Sequence, residues 1–195
     1  MATQSQLPKL KLVETAAELI YRQGWNATGI NQILTEAQVP KGSFYYYFHS
    51  KEDLGVAIVK YRGQKLQEAY NKTLLNEQLK GRAALEAFFE WMLAFQRQYE
   101  WRLGCPVGSF SNEVAATTEK IAPACREVLS EMIAAMSAAI RRGQRDGSIT
   151  SAEDPEILGL LVASILQGGL LIMKTIREEA PLRVAFECVS RSLIQ

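Results

Sequence analysis

Apolar residues recur along this chain at three- and four-residue intervals nearly from end to end, and no stretch alternates in the two-residue rhythm of a strand. The pattern predicts an all-α protein of nine helices. Leu12, Ala16, Leu19 and Ile20 share one face of a first helix over residues 9–23, which Gly24 stops. Thr28 is placed to cap a second helix, whose Ile30, Ile33, Leu34 and Ala37 lie on one side. Pro40 breaks the repeat, and a very short third helix runs from Lys41 to about Tyr47. Ser50, followed by Glu52 and Asp53 in the first turn, caps a fourth that continues to about residue 76. Leu85, Phe88, Phe89, Met92, Phe95 and Tyr99 mark a fifth; Gly104-Cys105-Pro106 interrupts, and a short sixth follows through Glu113. Val128, Leu129, Met132, Ile133, Met136 and Ile140 belong to a seventh, ended near Gly143 and Gly147. An eighth, over residues 153–177, is apolar nearly all round and so needs burial on more than one side. Pro181 opens the ninth, with Leu182, Ala185, Phe186, Val189 and Leu193 as its stripe.

Residues 28–54 carry the functional reading. Two short helices around a tight Gln38-Val39-Pro40 turn follow the helix-turn-helix plan, whose second helix enters the major groove of DNA. Phe44, Tyr47 and Phe48 fall on the side of that helix facing a core. Lys41, Tyr45 and His49 fall on the other side, with Gly42, Ser43 and Tyr46 beside them. An exposed row of a lysine, two tyrosines and a histidine is unfavourable in water without a partner, and double-stranded DNA suits it. Lysine reaches phosphate or guanine, tyrosine hydroxyls reach phosphate, and a tyrosine ring packs on a thymine methyl. The expected division is a three-helix DNA-binding head over residues 1–50 and a six-helix regulatory and dimerisation body over 51–195.

Composition narrows the field. The chain of 195 residues has 22 basic against 21 acidic side chains. Within residues 1–60 the balance is six (Lys9, Lys11, Arg22, Lys41, Lys51, Lys60) to five (Glu14, Glu18, Glu36, Glu52, Asp53), so DNA affinity rests on arrangement and not on excess charge. His49 is the sole histidine, and there is no phosphate-binding glycine loop, zinc-protease pattern or nucleophile elbow, so no enzyme, cofactor or metal site is expected. The longest uncharged run, from Ile157 to Met173, is 17 residues and holds three glycines. A span needs roughly 20 apolar residues, so a buried helix and no membrane is the reading. Three widely spaced cysteines fit neither a disulfide framework nor a zinc site and suggest the cytoplasm. An architectural DNA-binding protein without a sensor is the alternative function, and an all-helical enzyme a more distant one. The long body argues for a regulator.

The run Lys41-Gly42-Ser43-Phe44-Tyr45-Tyr46-Tyr47-Phe48, with Ser50-Lys51-Glu52-Asp53-Leu54 after it and Gly24-Trp25-Asn26-Ala27-Thr28 before, resembles the signature of the tetracycline-repressor family. The resemblance covers about residues 9–60, and the body follows it in helix count and order. It implies a repressor in which Tyr45 lies near bases while Thr28, Tyr46 and Lys51 meet phosphates. A position that the family often fills with histidine is Tyr47 here, so that phosphate contact is not carried over.

Gly104-Cys105-Pro106-Val107-Gly108, then Ser111-Asn112-Glu113-Val114, is similar to an electrophile-sensing subgroup of the family, that of the N-ethylmaleimide reductase repressor. Pro106 suits the first position of a helix, which makes Cys105 its cap, where the helix dipole favours the reactive thiolate. Lys174, the sole lysine after Lys120, is the candidate ammonium beside it. Cys125 and Cys188 lie on apolar stripes as core thiols. The effector is accordingly a small molecule or an electrophile. Two copies packing the eighth and ninth helices against each other would form a homodimer through Gln167, Leu170 and Val189, with Gly168 and Gly169 allowing close approach.

Overall fold

Helix α1 (Leu7–Gln23) ends where Gly24 takes a left-handed φ of 91° and returns its N–H to the Ile20 carbonyl at 2.9 Å. A side chain is strained in that region, so glycine here is a conformational requirement. The computed structural model describes residues 7–114 and 116–193. Among the described residues follow α2 (Ile30–Ala37), α3 (Lys41–Tyr47), α4 (Lys51–Lys72), α5 (Gly81–Arg97), α6 (Pro106–Val114), α7 (Ala122–Asp146), α8 (Pro155–Ile176) and α9 (Ala180–Ser192), with no strand. The all-α reading and its nine helices hold.

The chain divides into two compact units, one through Gln64 together with Pro106–Val128, the other Lys65–Cys105 with Leu129–Gln195. The first therefore combines the three N-terminal helices and the start of α4 with α6 and the opening turns of α7. There α1 packs on α2, α3 and α6. Leu12, Ala16, Ile33, Ala37, Phe44 and Leu54 are fully buried between these helices. Ser50 caps α4 as expected, its Oγ accepting from the Asp53 N–H at 3.2 Å, while Asp53 Oδ2 accepts from the His49 N–H at 3.1 Å.

Thr28 does not cap α2. The cap residue is Gly29, in extended conformation and without a side-chain bond. The Gly24 turn brings its carbonyl within reach of the hydroxyl four residues on, and Thr28 Oγ1 donates to Gly24 O at 2.7 Å from a side chain only 1% exposed. A buried hydroxyl takes the acceptor its surroundings offer, and here that is the turn.

In the second unit α8 packs along α9. Leu158, Val162, Ala163, Leu166, Leu170 and Met173 fill the buried side of α8, and Leu182, Val189 and Leu193 that of the C-terminal segment. This corrects two expected dimer residues: Leu170 and Val189 are consumed inside the chain's own core. Gly169 likewise faces α9, where a Cβ would lie 3.0 Å from that of Ala185, while nothing lies within 4 Å of a Cβ at Gly168. Gln167 spends its amide on the Met132 sulfur at 3.9 Å. The opposite side of α8 keeps Ile157, Leu160, Leu161, Leu171, Ile172 and Ile176 exposed. By length and composition α8 matches a membrane span, yet its other side is packed within the chain.

Candidate nucleic-acid interface and sensing cysteine

The α2–α3 turn is built by Gln38, a left-handed residue (φ 53°) whose N–H reaches the Leu34 and Thr35 carbonyls, and by Val39, which is buried. Pro40 then supplies the fixed φ from which α3 starts. On this seven-residue helix Phe44 is fully buried, with Phe48 buried just past its end, whereas Lys41, Gly42, Tyr45 and Tyr46 are exposed, the two tyrosines by 54% and 81%. Each exposed ring rests edge-on against a neighbour: Tyr45 on Phe44 with centroids 5.3 Å apart, Tyr46 on Tyr47 at 4.9 Å. Ser43 is half-buried, and a Cβ at Gly42 would meet nothing within 4 Å. His49 is exposed but off the helix, because α3 stops at Tyr47 and Phe48 is extended at φ −138°. The helical row therefore ends at Tyr45, and His49 belongs to the entry of α4.

Lys51, expected at a phosphate, folds over Trp25. Its ammonium donates to the Trp25 carbonyl at 2.6 Å and lies 4.2 Å from the ring centroid. Burial lowers its pKa, opposed by the charges of Glu52 and Glu113. An ammonium has three donors, so the Trp25 bond leaves others for an anion. The sequence alone assigns no role to Glu113. Its Oε2 accepts from the backbone N–H of Trp25 at 2.9 Å and of Asn26 at 3.3 Å, tying α6 to the α1–α2 turn. Phe110, one helical turn before it, packs on Trp25 with ring centroids 5.2 Å apart. Lys120 pairs with Asp53, holding that carboxyl below its ordinary pKa, with the His49 N–H adding to the effect. A lone acid near the end of a short, otherwise uncharged helix was the available sign of Glu113, but its partners are 87 and 88 residues away.

Cys105 is buried at the end of the second unit, immediately before Pro106 opens α6. Its approach is locked by the buried Gln96 side chain, which donates to Gly104 O at 2.7 Å and accepts from Gly104 N at 3.1 Å. Lys174 is half-buried in the last turn of α8, where a cation also meets the negative end of the helix dipole. Tyr70 on α4 is 1% exposed and packs against Phe88 at 5.5 Å. Its hydroxyl has no hydrogen-bond partner. Burial raises its pKa, and negative charge at Cys105 and Glu131 raises it further. Cys125 is buried, which pushes its thiol pKa up against a Ser111 hydrogen bond. Cys188 is not a core thiol: it is exposed, and Arg191 Nη2 donates to its sulfur at 3.3 Å. It lies one residue off the buried Leu182–Val189 stripe of α9. The aromatic stripe of α5 divides as well, Phe88 and Phe89 being core while Trp91, Phe95 and Tyr99 stay half-exposed in a ladder of ring contacts.

Comparison with known proteins agrees with this geometry. The family described as bacterial regulatory proteins, tetR family, matches residues 12–58, and that described as transcriptional regulator LmrA/YxaF-like, C-terminal domain, matches 82–188. The HTH-type transcriptional regulator YxaF of Bacillus subtilis is 30% identical over 178 residues, 91% of this chain and 90% of its own. The HTH-type transcriptional repressor NemR of Escherichia coli K12 is 28% identical over 174 residues, 89% of this chain and 87% of its own. Its reduced-form crystal structure superposes with a TM-score of 0.86 at 26% identity, covering 96% of this chain and 98% of that one. A TetR regulatory protein from Rhodobacter sphaeroides superposes at 0.88 and 26% identity, covering 95% and 98%. With an exposed tyrosine-bearing recognition helix and family matches over both head and body, this chain belongs to the TetR family of bacterial transcriptional regulators.

Proposed function

We propose that the protein is a homodimeric cytoplasmic repressor that binds a near-palindromic operator and leaves it when Cys105 is oxidised or alkylated. The observation that carries the DNA reading is the solvent side of α3, where Lys41, Gly42, Tyr45 and Tyr46 form a row on a helix whose other side is core. Tyr45 reads base edges, Tyr46 and Lys41 hold phosphates, and Ser43 and His49 flank them. Lys51 reaches a phosphate with the donors its Trp25 bond leaves over. Thr28 shapes the turn beneath them and does not touch DNA. Similarity to NemR, a repressor, supports the direction of control, and that NemR has a structure of its reduced form is in keeping with a redox response.

The regulatory step starts at Cys105 because that residue opens directly onto α6, and α6 carries Glu113 to the α1–α2 turn of the head. With N-ethylmaleimide the thiolate adds to an alkene carbon, and the displaced π pair takes a proton from water; with hypochlorous acid it takes the chlorine and releases hydroxide, and water then displaces chloride to leave the sulfenic acid. Either product enlarges a buried side chain and forces the adjoining helix to move. The test is selection of bound sequences from random DNA, followed by operator binding before and after hypochlorite or N-ethylmaleimide, with wild type and Cys105→Ser side by side. Release of the wild type and retention of the variant is the expected result. Equal release of both, or of neither, overturns the sensor assignment and leaves the DNA reading intact.

A further inference from the structure

A helix dressed with its side chains is about 10–12 Å across, and the major groove of DNA is about 12 Å wide. A recognition helix therefore fills its groove, and both of its flanks face sugar-phosphate walls. On α3, Lys41 and Tyr45 stand on one flank. Ser43 stands about 200° round the helix from Lys41, on the other flank. There it opens onto a cavity of about 440 Å³ in the first unit.

The start of α1 shares this cavity. Leu7, Pro8, Leu10 and Lys11 line it together with Pro40 and Ser43. Both leucines are exposed, and so is Lys11, whose ammonium has no partner among the described residues. In contrast, Lys51 is spent on the Trp25 carbonyl and Lys120 on Asp53. Lys9, on the same turns of α1, holds its ammonium 5.7 Å from the ring centroid of Phe48, just past the end of α3. Glu14 also lines the cavity, but its carboxylate accepts from the Tyr61 hydroxyl of α4 at 3.4 Å. The first turns of α1 thus run beside the recognition helix and bring an uncommitted cation and an apolar wall to its flank.

We infer that this groove seats the sugar-phosphate backbone at the edge of the operator's major groove, with Lys11 on a phosphate and Pro8 and Leu10 packed on a deoxyribose. This rests on α3 entering the major groove, as proposed above. Pro40 and Ser43 make the groove continuous with the exposed row of α3, so a duplex that receives the row lies against the groove as well. A nucleic-acid backbone alternates a charged phosphate with the largely apolar face of a sugar, and the groove offers a partner to each. Such contacts fix register and carry no base preference.

The experiment titrates a single operator with full-length wild type, Lys11→Gln, Leu10→Ser and, as a control, Lys60→Gln, which removes an exposed charge from α4. Both groove positions are exposed, so the variants should fold, and thermal melts check this. One phosphate contact adds about 0.9 to the salt slope, so the advantage of wild type over Lys11→Gln should shrink roughly 3.5-fold between about 50 and about 200 mM salt. Lys60→Gln should keep the wild-type slope. Leu10→Ser should bind several-fold more weakly at every salt concentration with its slope unchanged. Ethylation of single operator phosphates locates the contact: one ethylated position should impair wild type and leave Lys11→Gln unaffected. Wild-type affinity and slope in both groove variants would overturn the inference. If those variants lose only cooperativity on DNA carrying two operators, the groove meets a second copy of this chain instead. A slope lowered equally by Lys60→Gln would mean general charge and no contact at Lys11, which also overturns it. Wild type that does not distinguish operator from scrambled DNA would remove the α3 reading itself, and the groove assignment with it.

Discussion

Tyr45 and Tyr46 are neighbours on a seven-residue helix, propped by different rings, and both stand in solvent beside a fully buried Phe44. The division of work between them and Lys51 is measurable. Tyr45→Ala is expected to lose about 1–3 kcal/mol of operator affinity and to relax preference at one base position. Lys51→Ala should weaken all sequences alike and reduce the salt slope by about one. Binding titrations across a salt series, on operator and scrambled DNA, check both; unchanged affinity and slope in both variants would remove the contact assignment. A third residue responds to pH. Lys120, and then the His49 N–H, hold the Asp53 carboxyl below its ordinary 3.8, so its folded pKa lies under its unfolded one. That contribution is complete above the unfolded value and is lost as pH falls through the folded one. Asp53→Asn should therefore leave a shallower loss of stability below about pH 4, read by thermal melts on acidification; an acid limb identical to wild type would show the pair to be idle.

Among the helices, α6 runs from the proposed sensor to the head, and the sequence marks it only as a short helix through Glu113. Its first residue follows Cys105, and Glu113 near its end accepts two backbone N–H groups from the α1–α2 turn. Glu113→Ala leaves those donors without their carboxylate and should destabilise the head by about 1–3 kcal/mol. It should also uncouple response from binding, so that modification of Cys105 no longer releases operator. Hydrogen exchange at the Trp25 and Asn26 amides, with operator release, checks this; a variant that responds as wild type does would mean another contact carries the signal. The helices themselves were legible because burial on one side writes a 3.6-residue period into the sequence, and Gly24 and Pro40 punctuate it. The Glu113 bond was not legible, since a contact between residues 87 and 88 apart leaves no periodic trace. Nor was the environment of Cys188, because a stripe one residue wide does not say on which edge the core ends. Thr28 was misplaced for a related reason: a threonine before a helix is usually a cap, and here the Gly24 turn competed for its hydroxyl and won.

For the assembled molecule the surface to test is the outer side of α8. A helix apolar all round cannot reveal from sequence which of its faces meets α9 and which is left, so the sequence does not separate Leu170 from its outward neighbours. The chain itself buries Leu170 and leaves Leu160, Leu161, Leu171, Ile172 and Ile176 exposed, with Val184 of α9 exposed as well. Exposed apolar patches of this kind mark association surfaces in soluble proteins. A two-fold copy covers such a face with itself, each helix supplying what the other lacks. Helix-turn-helix dimers set their recognition helices roughly 34–36 Å apart, and linking two half-site contacts multiplies affinity by roughly 100- to 10,000-fold over one. Leu171→Glu therefore should give a folded monomer, because the new charge faces water, with operator affinity reduced by about that factor. Leu170→Glu, one residue earlier, should instead damage the fold, since the same carboxylate would enter the packed side of α8 without a partner. Sedimentation and circular dichroism of the two variants distinguish these outcomes. A Leu171→Glu protein that sediments as a dimer and binds operator at full strength would show that the two copies meet elsewhere, and the exposed face of α8 would then need another partner.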